Sequence, residues 1–155
     1  MCSVAKPIIK QIRDSREALD FFETESLPAE DEKTQAIIMD FPTVYIHNWQ
    51  DSGAFEVYVG ETNNIFKRTR QHYDAALNQP GWQSKLLKKN ASLFIIGHEH
   101  FNKSLTLDIE NRLMHYMMSV ERVKHVYNLR DNPQTSYYPM EEFDEIFSKI
   151  WRGLR

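Results

Sequence analysis

The strongest constraint on the fold is a short stretch in the middle of the chain. Thr43 to Trp49 is rich in β-branched and aromatic residues. Asp51-Ser52-Gly53 is a turn sequence, and Phe55 to Val59 alternates apolar with other residues before Gly60 ends the run. Two such runs joined by a glycine-containing turn predict a β-hairpin. Ser92 to Gly97 predicts a third strand. Helical periodicity is expected from Val4 to Phe22, through Ile8, Ile9, Ile12, Ala18, Leu19 and Phe22. Pro28 and Glu30-Asp31-Glu32 then predict a loop. Asn63 or Asn64 can cap a helix from Ile65 to about Leu77, stopped by Pro80-Gly81. Trp82 to Lys89 suggests a short basic helix. Ser104 can cap a long helix from Leu105 to about Val120. Asn128 to Tyr138 is polar and loop-like, and Met140 to Leu154 predicts a last amphipathic helix. A hairpin plus one more strand packed by helices is an α+β fold rather than a doubly wound one. The expected sheet is small, three-stranded and mainly antiparallel, with extra N- and C-terminal helices. The expected division is a helical extension over 1–40, a core over 41–135 and a C-terminal helix over 136–155.

Composition narrows the class. At 155 residues the chain can bury roughly 68–70% of its unfolded surface, enough for one core. Cys2 is the only cysteine, which rules out an internal disulfide and points to a reducing, cytoplasmic setting. The longest apolar run, Leu93-Phe94-Ile95-Ile96, is far below the ~20 residues of a membrane span, and the N-terminus lacks a signal-peptide core. No membrane partner is expected. The net charge of −3 argues against a uniformly basic nucleic-acid coat, but the charge is unevenly spread. Met1 to Asp40 carries nine acids and five bases, a net −4, whereas Glu61 to Asn90 carries six bases and two acids, a net +4.

Strand alternation puts Tyr45 and His47 on one face of the first hairpin strand, with Val44 and Ile46 on the other. On the second strand Phe55, Val57 and Val59 share one face, and Glu56 and Tyr58 share the opposite one. If the apolar sides pack together, Tyr45 and Tyr58 emerge side by side. On the following helix Arg68 and His72 are i, i+4 and project together. Two tyrosines, an arginine and a histidine then converge at one end of the hairpin. His98-X-His100 is a possible metal pair, but no third ligand stands at a suggestive spacing, and two surface histidines are the preferred reading.

The ordered set of Val44-Tyr45-Ile46, Tyr58-Val59-Gly60-Glu61-Thr62, Arg68 and His72 resembles the GIY-YIG nuclease core. Arg68 follows Gly60 by eight positions and precedes His72 by four. Asp108 to Leu113, with Glu110 in it, looks like the segment bearing that family's metal-binding glutamate, and Val126-Tyr127-Asn128 looks like its late tyrosine-asparagine. The likeness runs from about Thr43 to Asn132. Thr43 stands where the family name has its first glycine, a backbone feature rather than a reacting group.

The resemblance implies metal-dependent hydrolysis of DNA phosphodiester bonds. Glu110 would hold one Mg²⁺ (or Mn²⁺) that keeps several waters. Arg68 would grip the scissile phosphate through paired donors. Tyr45, helped by Tyr58 or His72, would take a proton from the attacking water, which requires nearby positive charge to lower its pKa. Gly60 would be the structural glycine of the motif, and Asn128 would position the loop or a phosphate. Lys67, Arg70, Lys85, Lys88 and Lys89 are the candidate contacts to other DNA phosphates. The chain is also similar to N-terminal domains that precede helicase-like ATP-binding regions in large bacterial and phage-related proteins. That implies a role in DNA repair, mobile elements or phage defence, with an ATPase-like region C-terminal on the same polypeptide. The alternative is a catalytically inactive module of the same fold that binds nucleic acid or protein.

Overall fold

A computed structural model describes residues 5–78, 81–87, 90–127 and 140–154. Its organising piece is the hairpin of β2 (Thr43–Asp51) and β3 (Ala54–Thr62). Asp51 faces Ala54 across a two-residue turn in which Ser52 and Gly53 have φ of 56° and 82°. Positive φ at both positions is the mirror-image turn whose twist matches that of paired strands.

The class is α+β, as expected, but the sheet has five strands rather than three and is mixed. Its order is β1-β4-β2-β3-β5. β4 (Ser92–Gly97) pairs antiparallel with the outer side of β2. β1 (Ile8–Arg13) pairs antiparallel with β4, and β5 (Val123–Tyr127) runs parallel to β3. The helices are α1 (Arg16–Phe21), α2 (Glu32–Asp40), α3 (Ile65–Asn78), α4 (Lys103–Met118) and α5 (Met140–Leu154). A π-helical turn, Phe22–Ser26, extends α1, and a 3₁₀ turn, Trp82–Leu87, follows α3.

The sheet separates two apolar cores. On one face α4 and α5 cover Val44, Ile46, Val57, Val59 and Ile96. On the other, α1, α3 and the 3₁₀ turn cover Tyr45, Trp49, Tyr58, Leu93 and Ile95. Among the described residues no helix is long and apolar enough to cross a membrane.

Four expectations need correction. The helix expected from Val4 to Phe22 is a strand followed by a short helix. Ile8, Ile9 and Ile12 suit either period, and the free edge of β4 decides between them. Leu93, Ile95 and Ile96 of β4 are fully buried, so that edge needs a hydrogen-bonding partner away from water. Pairing continues to Asp14, whose N–H donates to the Ala91 carbonyl at 3.0 Å, before Ser15 caps α1 through the Ala18 N–H. Residues 8–13 are therefore part of the sheet and not a helical extension of it. Secondly, α2, capped by the Asp31 carboxylate on the Thr34 N–H, and β5 were not expected at all. Thirdly, α4 is capped by Asn102, which accepts from the Leu105 N–H at 2.8 Å, and not by Ser104. Fourthly, the short basic helix is a 3₁₀ turn ending at Leu87; Lys88 and Lys89 lie outside the described residues. The hairpin, α3, β4 and α5 form where expected.

An edge strand bonds on one side only, so hydrogen exchange at residues 8–13 should show protection at alternate amides. Uniform protection across the segment would mean a helix.

Candidate active site

The α3 face of the hairpin carries the polar cluster. Tyr45 of β2 sits directly across from Gly60 of β3, and His47 across from Tyr58. The Tyr45 ring lies against the Gly60 backbone: a Cβ at Gly60 would stand 2.5 Å from the Tyr45 Cζ and hydroxyl oxygen. The Tyr45 and Tyr58 rings stack at 6.1 Å, the diagonal neighbours that antiparallel pairing allows. After β3, the Asn64 side chain accepts from the Lys67 N–H and starts α3. The helix lays His72 onto the rings and leaves Arg68 at the exposed rim.

His72 Nε2 is 3.0 Å from the Tyr45 hydroxyl. The Arg68 guanidinium and the Tyr45 phenol each favour the other's charged form. A guanidinium has only donors, so toward Arg68 a phenol oxygen can only accept. Burial disfavours the His72 imidazolium form, as do His47 and Arg68, and together they push its pKa down to about 3. Burial, with Tyr58 alongside, raises the Tyr45 phenol well above its ordinary range; Arg68 opposes this but does not outweigh it. At neutral pH the pair is therefore phenol and neutral imidazole.

Four residues of this cluster escaped the site prediction. Trp82, from the 3₁₀ turn, stacks on Tyr58 at 3.9 Å and 11°. His47 and Asp14 are both buried, with His47 Nδ1 2.5 Å from Asp14 Oδ2. Tyr73 donates to the other Asp14 oxygen at 2.5 Å. The shared face of His47 and Tyr45 was legible, but Asp14 comes from a segment that periodicity assigned to a helix.

The remaining expected site residues are more scattered. Glu110 is fully buried on α4, the helix that packs on the opposite face of the sheet. One turn earlier, Thr106 donates to Glu61 at 3.3 Å, and Glu61 is paired with Lys103 at 2.6 Å. Among the described residues no three His, Cys, Asp or Glu side chains group as metal ligands. Magnesium needs no such group, since one carboxylate and several waters suffice. Glu110 matches that ion by donor type alone, since its carboxylate is closed to water and its helix covers the face of the sheet opposite Tyr45 and Arg68. Lys67 is exposed on α3. Arg70 is held by Asp20 and Glu23 at 2.7 and 2.6 Å, and Lys85 by Glu56 at 2.7 Å and the Tyr127 hydroxyl. Asn128, like Lys88 and Lys89, lies outside the described residues. Both ring nitrogens of His98 are engaged, one donating to the Ala5 carbonyl and one accepting from the His100 N–H.

Comparison of the chain with protein-family models, with curated proteins and with solved structures gives no match.

Two outcomes follow from this geometry. Gly60→Ala forces the enclosed Tyr45 ring out of place and should cost about 1–3 kcal/mol, the usual range for overpacking, measured by urea unfolding. An unchanged midpoint would show that the contact is soft. His72 is neutral when folded, whereas an unfolded histidine titrates near pH 6.5. The unfolded state therefore binds the proton first as pH falls. The neutral-pH stability is retained above about pH 6.5 and lost progressively toward pH 3, with up to ~1.4 kcal/mol per pH unit from this residue. His72→Gln should flatten the stability profile between pH 6.5 and 5 relative to wild type. Parallel profiles would contradict the assignment.

Proposed function

We propose that this domain is a metal-dependent DNA endonuclease of the GIY-YIG type. The observation that carries the reading is the meeting of Tyr45, Tyr58, Arg68 and His72, from β2, β3 and α3, on one face of the hairpin. The Tyr45–His72 bond lies inside the cluster and the Arg68 cation at its rim.

The side chains suit phosphodiester hydrolysis. Arg68, exposed and always charged, can hold two oxygens of the scissile phosphate and offset the charge that builds up there. The Tyr45 oxygen accepts the proton of the attacking water as its own proton passes to His72 Nε2. The neutral state of His72 is what makes that nitrogen available as an acceptor. Tyr58, stacked between Tyr45 and Trp82, fixes the angle of the first ring and offers a second hydroxyl toward Arg68. A divalent cation, when bound, stabilises charge on the phosphate and the leaving oxygen. The resemblance assigns that ion to Glu110, which here is buried on α4 on the opposite face of the sheet from Arg68, and Lys67 is exposed to meet a neighbouring phosphate. The setting that goes with this reading is DNA repair, mobile elements or phage defence, alongside a helicase-like ATPase region.

Plasmid or branched DNA incubated with Mg²⁺ or Mn²⁺ should be cut. Arg68→Ala should slow cleavage by about a hundredfold or more, the usual cost of losing one transition-state donor, and Glu110→Ala should abolish metal-dependent cutting. Undiminished cleavage in both variants would exclude the assignment. Lys67→Ala should weaken DNA binding and lower the slope of log affinity against log salt by about one.

A second reading is a non-catalytic module of the same fold. Two observations favour it: Arg70 and Lys85 are neutralised within the chain, and the Glu110 carboxylate is sealed from water. Salt-dependent DNA binding without cutting in either metal would select this reading. Absence of binding at low salt would leave a protein-interaction role.

A further inference from the structure

β1 ends the sheet, and no strand pairs with its outer edge among the described residues. Residues that face each other in antiparallel strands alternate between exchanging both hydrogen bonds and exchanging none. The Asp14 N–H donates to the Ala91 carbonyl in continuation of the β1–β4 register. Counting back from that pair, Ile12, Lys10 and Ile8 turn their main-chain groups to β4, and Arg13, Gln11 and Ile9 turn theirs outward. The Arg13 carbonyl fits the same phase, because it accepts from the Ser15 N–H at 2.9 Å rather than from β4. The N–H and carbonyl groups of Ile9 and Gln11 are therefore the centre of the open edge. Pro7, the next outward position, has no N–H to offer.

This edge is the floor of a groove of about 520 Å³. Thr34 of α2 stands on one side of it, and Lys149 and Gly153 of α5 on the other. The end of α5 lies close against β1: a Cβ at Gly153 would stand 2.5 Å from the Ile9 Cδ1. The groove is basic. Lys6, Lys10 and Lys149 line it, an adjoining hollow adds Arg152, and no acidic side chain lines either among the described residues. Lys10 is paired with Glu30 and Lys149 with Glu145. Lys6 and Arg152 are exposed and have no carboxylate partner among the described residues.

These features discriminate between occupants. A second copy of β1 would bring Lys10 and Arg13 against their own kind, and like charges across a strand pair are destabilising. A DNA backbone can accept from the outward N–H groups but has no donor for the Ile9 and Gln11 carbonyls. An extended peptide supplies donors and acceptors at the strand period, and carboxylates on it meet the cations.

We infer that the groove over β1 binds an extended acidic peptide segment, which adds to the sheet as a further strand. Main-chain hydrogen bonds to Ile9 and Gln11 hold the segment, and Lys6, Lys10, Lys149 and Arg152 select its charge. The same cations, with Pro7, keep the bare edge from pairing with another copy of the chain. None of these residues belongs to the tyrosine–histidine cluster, so the inference is independent of the nuclease reading.

The experiment uses the whole chain and, as probe, a short acetylated and amidated peptide of alternating glutamate and valine. Amide exchange is read by NMR. In the free protein Ile8, Lys10 and Ile12 are protected, and Ile9 and Gln11 exchange freely. At about ten times its Kd the peptide should slow exchange at Ile9 and Gln11 by about tenfold, the factor 1 + [L]/Kd. Lys6→Gln combined with Arg152→Gln changes only exposed side chains. It should weaken binding about tenfold, the size of two exposed ion pairs lost, and added salt should bring wild type toward the variant. Binding that leaves the Ile9 and Gln11 amides exchanging as in the free protein would overturn the strand addition. Equal protection by a lysine–valine peptide would overturn the selection of acidic partners. No binding up to the solubility limit of the peptide would overturn both. Protection of the same amides by a short DNA duplex, with none from the peptide, would assign the groove to nucleic acid instead.

Discussion

β2 is hydrogen-bonded along both edges and covered on both faces, and the rest of the protein is arranged around that double burial. Thr43 to His47 and Trp49 are withdrawn from water. One face carries Val44 and Ile46 under α4 and α5, and the other carries Tyr45, His47 and Trp49 under α3 and the 3₁₀ turn. A strand of this kind can hold polar side chains only where partners come to meet them. The Tyr45 hydroxyl meets His72, His47 Nδ1 meets Asp14, and the Trp49 indole N–H meets Glu56 at 3.1 Å. Those partners come from α3, the end of β1 and β3. The demand for satisfied polar groups on one central strand therefore draws distant parts of the chain to one place, and that place is the candidate site.

The same demand shapes the electrostatics. The contrast between an acidic N-terminal arm and a basic middle is partly cancelled in space. Asp20 and Glu23 hold Arg70, and Arg16 reaches across to Asp74 at 2.7 Å. Exposed pairs of this sort add little stability, but they decide which cations remain available. Arg68 and Lys67 stay exposed at the start of α3, whereas Arg70 on the same helix is engaged. Among the described residues, the basic patch read from the sequence contracts to Arg68 and Lys67 at the rim of the tyrosine–histidine cluster.

Legibility varied by element for a physical reason. The hairpin carries its own signal, since alternation and a turn needing positive φ both lie within a few residues. α3 and α5 show an apolar stripe of helical period, and β4 is a short apolar run of strand length. β1 and β5 carry no such local signature. Ile8, Ile9 and Ile12 fit a helix as well as a strand, and Val123 to Tyr127 is only half apolar. Both are selected by open edges of strands formed elsewhere. Tyr45, Tyr58, Arg68 and His72 were legible because alternation and the i, i+4 rule place them together without knowledge of the tertiary fold. Asp14 and Trp82 were not, because nothing near them in sequence points toward the hairpin.

The sequence by itself determined an α+β chain built on one hairpin, with two tyrosines on the same side of it and an arginine and a histidine one helical turn apart. These follow from side-chain periodicity, which is a local property. Tertiary structure alone decided that the sheet has five strands, that the Tyr45 ring rests on Gly60, and that burial holds Tyr45 as a phenol beside a neutral His72. It alone brought Asp14 to His47. Edge pairing, close packing and desolvation each depend on groups far apart in the chain, and none of them leaves a mark in a short window of sequence.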